Sequence, residues 1–168
     1  MNNLSIGVTS PKASLVYDDT YFEVLKTIIS KAKIHCLASI FIVDLKSGGS
    51  DPDMKVLQIL KLLQEAQWRG VDVKLLIGGS RDNLVIAESA ETARKVALEM
   101  GLNCKWLTSS DVRGSHSKIA IADDLVLTGS HNWSSGAFTN QIQDSILVDS
   151  AELAVYCQSK FYYQWNRK

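Results

Sequence analysis

The chain has 168 residues, with 18 Lys and Arg against 18 Asp and Glu, and 46% of its residues are hydrophobic. Such a chain suits a single domain with a substantial buried core. Zero net charge excludes a global pull onto nucleic acid or an anionic membrane, so any polyanion binding must rest on a local patch. No apolar run is long enough to span a bilayer, and no stable membrane anchor is expected.

The opening MNNLSIGV lacks a charged region followed by a long apolar stretch, so a secretory signal is not expected. Ala13 to Tyr17 predicts a short strand, and a helix follows from about Asp19 to Lys33, capped by Asp18 or Asp19. Leu25, Ile28, Ile29 and Ala32 carry the three-four spacing of its buried face. Ile34 to Leu45 is dense in Ile, Val and Phe and predicts a central strand; His35 within it is expected in the core. KSGGSDPD is a loop by composition, and Asp53 or Ser50 starts a helix running to about Trp68, ended by Arg69-Gly70. Val71 to Ile77 predicts a strand, Ile86 to Met100 a helix, and Leu102 to Leu107 a short strand. Two more strands are expected at Lys118 to Ala122 and Leu125 to Thr128, a last one at Ser145 to Val148, and a closing helix from Ser150 to about Trp165. Strands alternating with helices predict an α/β fold, a mixed sheet between helices in one domain over residues 1–168.

Cys36, Cys104 and Cys157 are well separated and form no CxxC pair. Neither a zinc site nor a disulfide framework is indicated. Buried, reduced thiols are expected, which fits a cytoplasmic protein.

The densest chemistry lies in HSKIAIADDLVLTGSHNWSSG, from His116 to Gly136. It offers an imidazole, an ammonium and an amide, joined by two short strands and a Gly-Ser turn. That set can grip a phosphate and attack it without a metal. A neutral His116 is a nucleophile, and Lys118 and Asn132 can hold non-bridging oxygens as charge builds on them. Period-two alternation puts His116 and Lys118 on one strand face. No cluster of carboxylates, Cys or His has metal-ligand spacing, and no cofactor is expected.

These residues resemble the H-x-K-x4-D…G-S-x-N signature of the phospholipase D superfamily. His116, Lys118 and Asp123 fit its first half, and Gly129, Ser130 and Asn132 its second. The stretch from Asp123 to Gly129 is one residue shorter than is usual, and Asp144 stands where a downstream Glu is common. The order of elements, the R-G-V-D-V strand entry and the aromatic late helix ending at Trp165 are similar to the small single-motif bacterial endonucleases of that superfamily. They are also similar to the catalytic domain of the mitochondrial cardiolipin hydrolase and its piRNA-pathway relatives.

The resemblance implies a phospholipase D-like fold and a metal-independent phosphodiesterase acting through a phosphohistidine. One motif supplies one histidine, whereas the family's chemistry uses two. A homodimer with a composite site on its two-fold axis is therefore implied. The expected catalytic residues are His116, Lys118 and Asn132, with Asp123, Ser130 and Asp144 in support. Asp123 is expected to hold a turn or orient a partner, and His131 to be structural or at the rim. Nucleic acid, DNA or RNA, is the expected substrate, and a phospholipid such as cardiolipin the alternative. An idle binding or scaffold subunit is a third reading, against which the intact His116, Lys118 and Asn132 stand. Arg113 and Ser115 are the expected substrate contacts. Lys74, Arg81 and Lys105 either add a basic rim or are ordinary surface charges. Trp133 stacks on a base or packs beneath the motif, with packing favoured.

Overall fold

The fold is described by a computed structural model over residues 12–46, 53–79, 83–107 and 115–167. Seven strands form one sheet: β1 (Lys12–Tyr17), β2 (His35–Ile40), β3 (Asp72–Ile77), β4 (Cys104–Trp106), β5 (Lys118–Ala122), β6 (Leu125–Gly129) and β7 (Asp144–Asp149). Their spatial order is β1-β7-β6-β5-β2-β3-β4. β2, β3 and β4 run parallel, and the remaining pairs are antiparallel. The helices are α1 (Thr20–Lys31), α2 (Met54–Trp68), α3 (Leu84–Glu99), α4 (Ser135–Thr139) and α5 (Ala151–Trp165).

Strand alternation divides the core in two. Ala38, Ile40, Leu75, Ile77, Ala120 and Leu127 face α1, α2 and α3 in the larger cluster. Their neighbours Leu37, Leu76, Ile121 and Val126 face Ala154 and Phe161 of α5. The sheet is thus sandwiched between helices, as expected. Each three-residue offset in the apolar pattern found its helix, because the buried faces of α1 and α2 are Leu25, Ile28, Ile29 and Val56, Ile59, Leu60, Leu63.

Several boundaries differ from expectation for identifiable reasons. β2 stops at Ile40, five residues short of Leu45. Its flanking strands both end there: Ile40 pairs with Ile77 on one side and Lys118 on the other. Beyond that point Phe41 to Leu45 turns to the loop after β6. Trp133 N donates to Ile42 O at 2.9 Å and Asp44 N to Trp133 O at 2.8 Å. Neither Asp18 nor Asp19 caps α1 through its side chain. Asp18 instead accepts from Gln143 N at 2.9 Å. Asp53 does cap α2, accepting from Lys55 N and Val56 N. Ser50 lies outside the described residues. α4 was not expected; it is a single turn or so, capped by Ser134.

Asp123 sits at the end of β5 remote from Lys118, with a left-handed φ of 52°. Its carboxylate accepts from three consecutive backbone N–H groups, Lys33 at 2.9 Å, Ile34 at 2.9 Å and His35 at 3.1 Å. Burial works to raise its pKa, but these three donors win and hold it below the usual carboxylate value. Asp123→Ala should cost about 1–3 kcal/mol, because three donors lose one acceptor and Ala tolerates that φ poorly. Urea unfolding measures the loss, and Asp123→Gly separates the backbone part. The stabilisation should be complete above the unfolded carboxyl pKa of about 3.9 and vanish as pH falls through the lower folded value. A variant as stable as wild type at neutral pH would contradict the role.

Candidate active site

His116, Lys118 and Asn132 all meet the Phe41–Ile42 segment, just beyond the carboxyl end of β2. Their elements arrive from different parts of the chain. His116 is exposed immediately before β5, and Lys118 is half-buried at its first position. Lys118 Nζ lies 3.2 Å from His116 Nδ1 and donates to His116 O at 3.1 Å. The Phe41 ring packs on the imidazole with centroids 4.2 Å apart. The same ring lies under the Lys118 ammonium at 5.1 Å. Asn132 Oδ1 accepts from Ile42 N at 3.2 Å, so the amide NH2 is what Asn132 has to offer a ligand. Partial burial pulls the Lys118 pKa below its ordinary value.

Two glycines permit these approaches. A Cβ on Gly78, at the end of β3, would overlap Ser115 O and come within 2.9 Å of Phe41 Cα. A Cβ on Gly129 would overlap Asp144 O and the Ser145 side chain. Gly129 therefore lets the end of β6 lie close against β7, opposite Ser145. Ser130 continues this contact. Its N–H donates to Asp144 O at 2.9 Å, and Asp144 N donates to its hydroxyl at 3.1 Å. Ser130 and Asp144 remain exposed beside the Gly129–Ser145 pair.

The other expected site residues divide. Asp123 is separated from Lys118 by the length of β5, roughly 16 Å, and supports the far end of the sheet. Ser115 is buried, and its hydroxyl lies 3.4 Å from Ser39 Oγ and accepts from Ser117 N. Its hydroxyl faces the protein interior. Arg113 and Arg81 lie outside the described residues. Lys74 and Lys105 are not beside His116. They project from the sheet face that carries α5. Lys74 pairs with Asp72, and Lys105 Nζ donates to Trp165 O at 2.7 Å. His35 is half-buried at the far end of β2 rather than in the core, with Nε2 3.1 Å from Asp123 O.

His131 and Trp133 are fully buried. His131 Nδ1 lies 2.8 Å from Ser145 Oγ and Nε2 lies 3.1 Å from Asp18 O, while the ring stacks on Tyr21 at 4.2 Å. Burial lowers its pKa against the opposing pull of Asp18. The folded state thus favours the neutral ring. Its contribution to stability is present above the unfolded pKa of about 6.5 and is lost as pH falls through the folded value. Burial also pushes the Cys36 and Cys104 thiols up to about 12. All three cysteines are unpaired.

Sequence reasoning missed Phe41. An aromatic at a strand end carries no chemical signal, and its contacts with His116 and Lys118 exist only once β2 and β5 pair.

Residues 25–165 match the family described as "Cardiolipin synthase, PLD-like domain". The chain belongs to this family. It is a phospholipase D superfamily member, and its sheet and helices are those of the phospholipase D-like fold. Nuc from Salmonella typhimurium, a phospholipase D family member, superposes with a TM-score of 0.70 at 24% identity, covering 94% of this chain and 95% of that one. NucT from Helicobacter pylori gives 0.67 at 19% identity, covering 93% and 96%. Phosphatidylserine synthase from Haemophilus influenzae Rd KW20 gives 0.66 at 16% identity, covering 88% of this chain and 35% of that one. At these identities the likenesses concern the fold. Sequence comparison with curated proteins gives no match. No helix among the described residues of this phospholipase D-like chain is long and apolar enough to cross a membrane.

Proposed function

We propose that this chain is a metal-independent phosphodiesterase, a nuclease cleaving DNA or RNA through a phosphohistidine at a composite site shared by two copies. The observation that carries this is the convergence of His116, Lys118 and Asn132 on the Phe41–Ile42 segment at an exposed end of the sheet. The likeness of the motif and of the element order to the small single-motif endonucleases supports the nuclease reading, and Nuc and NucT share the fold over nearly their whole length.

The chemistry follows from the side chains. Lys118 and Asn132 of both copies donate to the non-bridging oxygens as negative charge grows there. Lys118 now also touches His116 Nδ1. A substrate phosphate draws that ammonium away, and the ring then carries its proton on Nδ1 and attacks phosphorus through Nε2. An N–P bond forms and the P–O bond to the leaving nucleoside breaks. The second copy's His116 gives that oxygen its proton. It then takes a proton from water, which attacks phosphorus and releases the first imidazole. The two copies' rings divide the work, one attacking as the nucleophile and the other handling the proton. Phe41 acts by positioning, since it touches both the imidazole and the ammonium.

Among the described residues no three His, Cys, Asp or Glu side chains gather as a metal site requires. The two lysines and two amides supply the charge stabilisation that a metal would otherwise give. Cleavage of single-stranded DNA, duplex DNA or RNA is expected to persist in EDTA. Activity that disappears on chelation and returns with magnesium would contradict the mechanism. The phosphatidylserine synthase likeness and the family's description favour a second reading, a phospholipid headgroup diester. Anionic phospholipid vesicles belong in the same assay, and turnover of lipid without turnover of nucleic acid would select it.

A further inference from the structure

The outer face of α5 has a composition that the fold does not require. Tyr156, Lys160 and Tyr163 follow the three-four spacing and form one stripe, which Arg167 extends two residues beyond the helix end. Tyr156 is 51% exposed and Tyr163 68%. Each carries the cation one turn further on. Lys160 Nζ lies 5.3 Å from the Tyr156 ring centroid, and Arg167 Cζ lies 5.6 Å from that of Tyr163. Glu152 stands at the start of the stripe, in the first turn. From Leu153 to Arg167 the chain has no acid. On the opposite, sheet-facing side of α5, exposed Lys105 of β4 lies over the Trp165 ring at 4.7 Å and is not part of the stripe. Lys74 is its neighbour, already paired with Asp72. The stripe itself thus carries two cations, Lys160 and Arg167, after the single acid Glu152.

We propose that the Tyr156–Lys160–Tyr163–Arg167 stripe of α5 is a second binding surface, remote from His116, for single-stranded nucleic acid. Cations interleaved with exposed rings suit a strand that presents phosphates and bases alternately. The two tyrosines are about 10 Å apart along the helix axis, within reach of nearby bases on one strand. A membrane-surface helix separates its apolar and charged residues onto opposite faces. Here they share one line, which favours a nucleic acid over a lipid surface. The inference takes its purpose, retention of a long substrate, from the nuclease reading. Its geometry is independent of His116.

The test uses the full chain. Binding of fluorescein-labelled oligothymidylate and oligouridylate is measured by anisotropy on a His116→Ala background, so that the probe survives. Tyr156→Ser with Tyr163→Ser should weaken binding at least about tenfold. Lys160→Gln with Arg167→Gln should weaken it as well, and the slope of log affinity against log salt should become shallower by about 1.4. All four side chains are exposed, and circular dichroism checks that both variants fold. On the His116 background both should turn over bis(p-nitrophenyl) phosphate at the wild-type rate, while KM for an oligonucleotide rises. Unchanged oligonucleotide affinity in both variants overturns the proposal. Lost binding to phosphatidylglycerol vesicles with unchanged oligonucleotide affinity also overturns it, in favour of a membrane surface. If wild type binds oligonucleotide through the stripe but cleaves none, the nuclease reading fails and the surface stands.

Discussion

His116→Ala should reduce phosphodiester turnover by at least about a thousandfold, in the range lost when a covalent nucleophile is removed. In the proposed mechanism the substitution removes the attacking nitrogen in one copy and the acid in the other. His116 is exposed, so the folded state should survive, and thermal unfolding checks that. Acid-quenched labelled substrate should leave its label on His116 in the wild type. His131→Ala makes the contrast. His131 is buried against Tyr21, with ring nitrogens near Ser145 and Asp18. Its loss should lower stability while the folded fraction keeps most of its turnover. A His116→Ala enzyme with near-normal activity would sink the nucleophile assignment.

Mixing wild type with His116→Ala at fixed total protein should reduce activity as the square of the wild-type fraction. In the proposed composite site each centre needs His116 from both copies, so a mixed dimer would have none that is complete. At equal proportions about one quarter of the activity should remain, against about one half for independent sites. Subunits must exchange at random, which co-refolding ensures and native mass spectrometry of tagged copies verifies. A straight line would remove the composite site. The second proton-handling group would then have to come from the same chain, and Asp144, exposed beside the Gly129–Ser145 pair, is the first to examine.

The elements were legible where one physical rule dominates. α1, α2, α3 and α5 each display a spaced apolar face, and Asp53 caps α2 as its position before the apolar run suggests. The short strands Lys118–Ala122 and Leu125–Gly129 show in composition alone. Expectation failed where partners decide. Phe41 to Leu45 has strand-forming residues but no neighbouring strand beyond Ile40. Lys74 and Lys105 looked like a basic rim, yet alternation turns both toward α5. Of the motif, His116, Lys118 and Asn132 converge. Asp123 shares their motif but holds the opposite end of the sheet, because β5 lies between. Linear proximity hides that separation, and it hides Phe41 altogether.

The sheet closes over an unusual span of chain. β1 pairs along its whole length with β7, Lys12 opposite Asp149 and Tyr17 opposite Asp144. During synthesis β1 emerges before β7 and has no partner until residues near 149 have followed. The β2–β3 pair and the β5–β6 hairpin can form while the ribosome is still working; the outer edge at β7 cannot. Closure of that edge is therefore a late, long-range event, the kind that slows folding. Until then Leu15 and Val16 offer an unpaired strand to any other nascent copy. For this protein the interval between making β1 and making β7 is the period of greatest exposure to aggregation, and slowing translation between them would lengthen it.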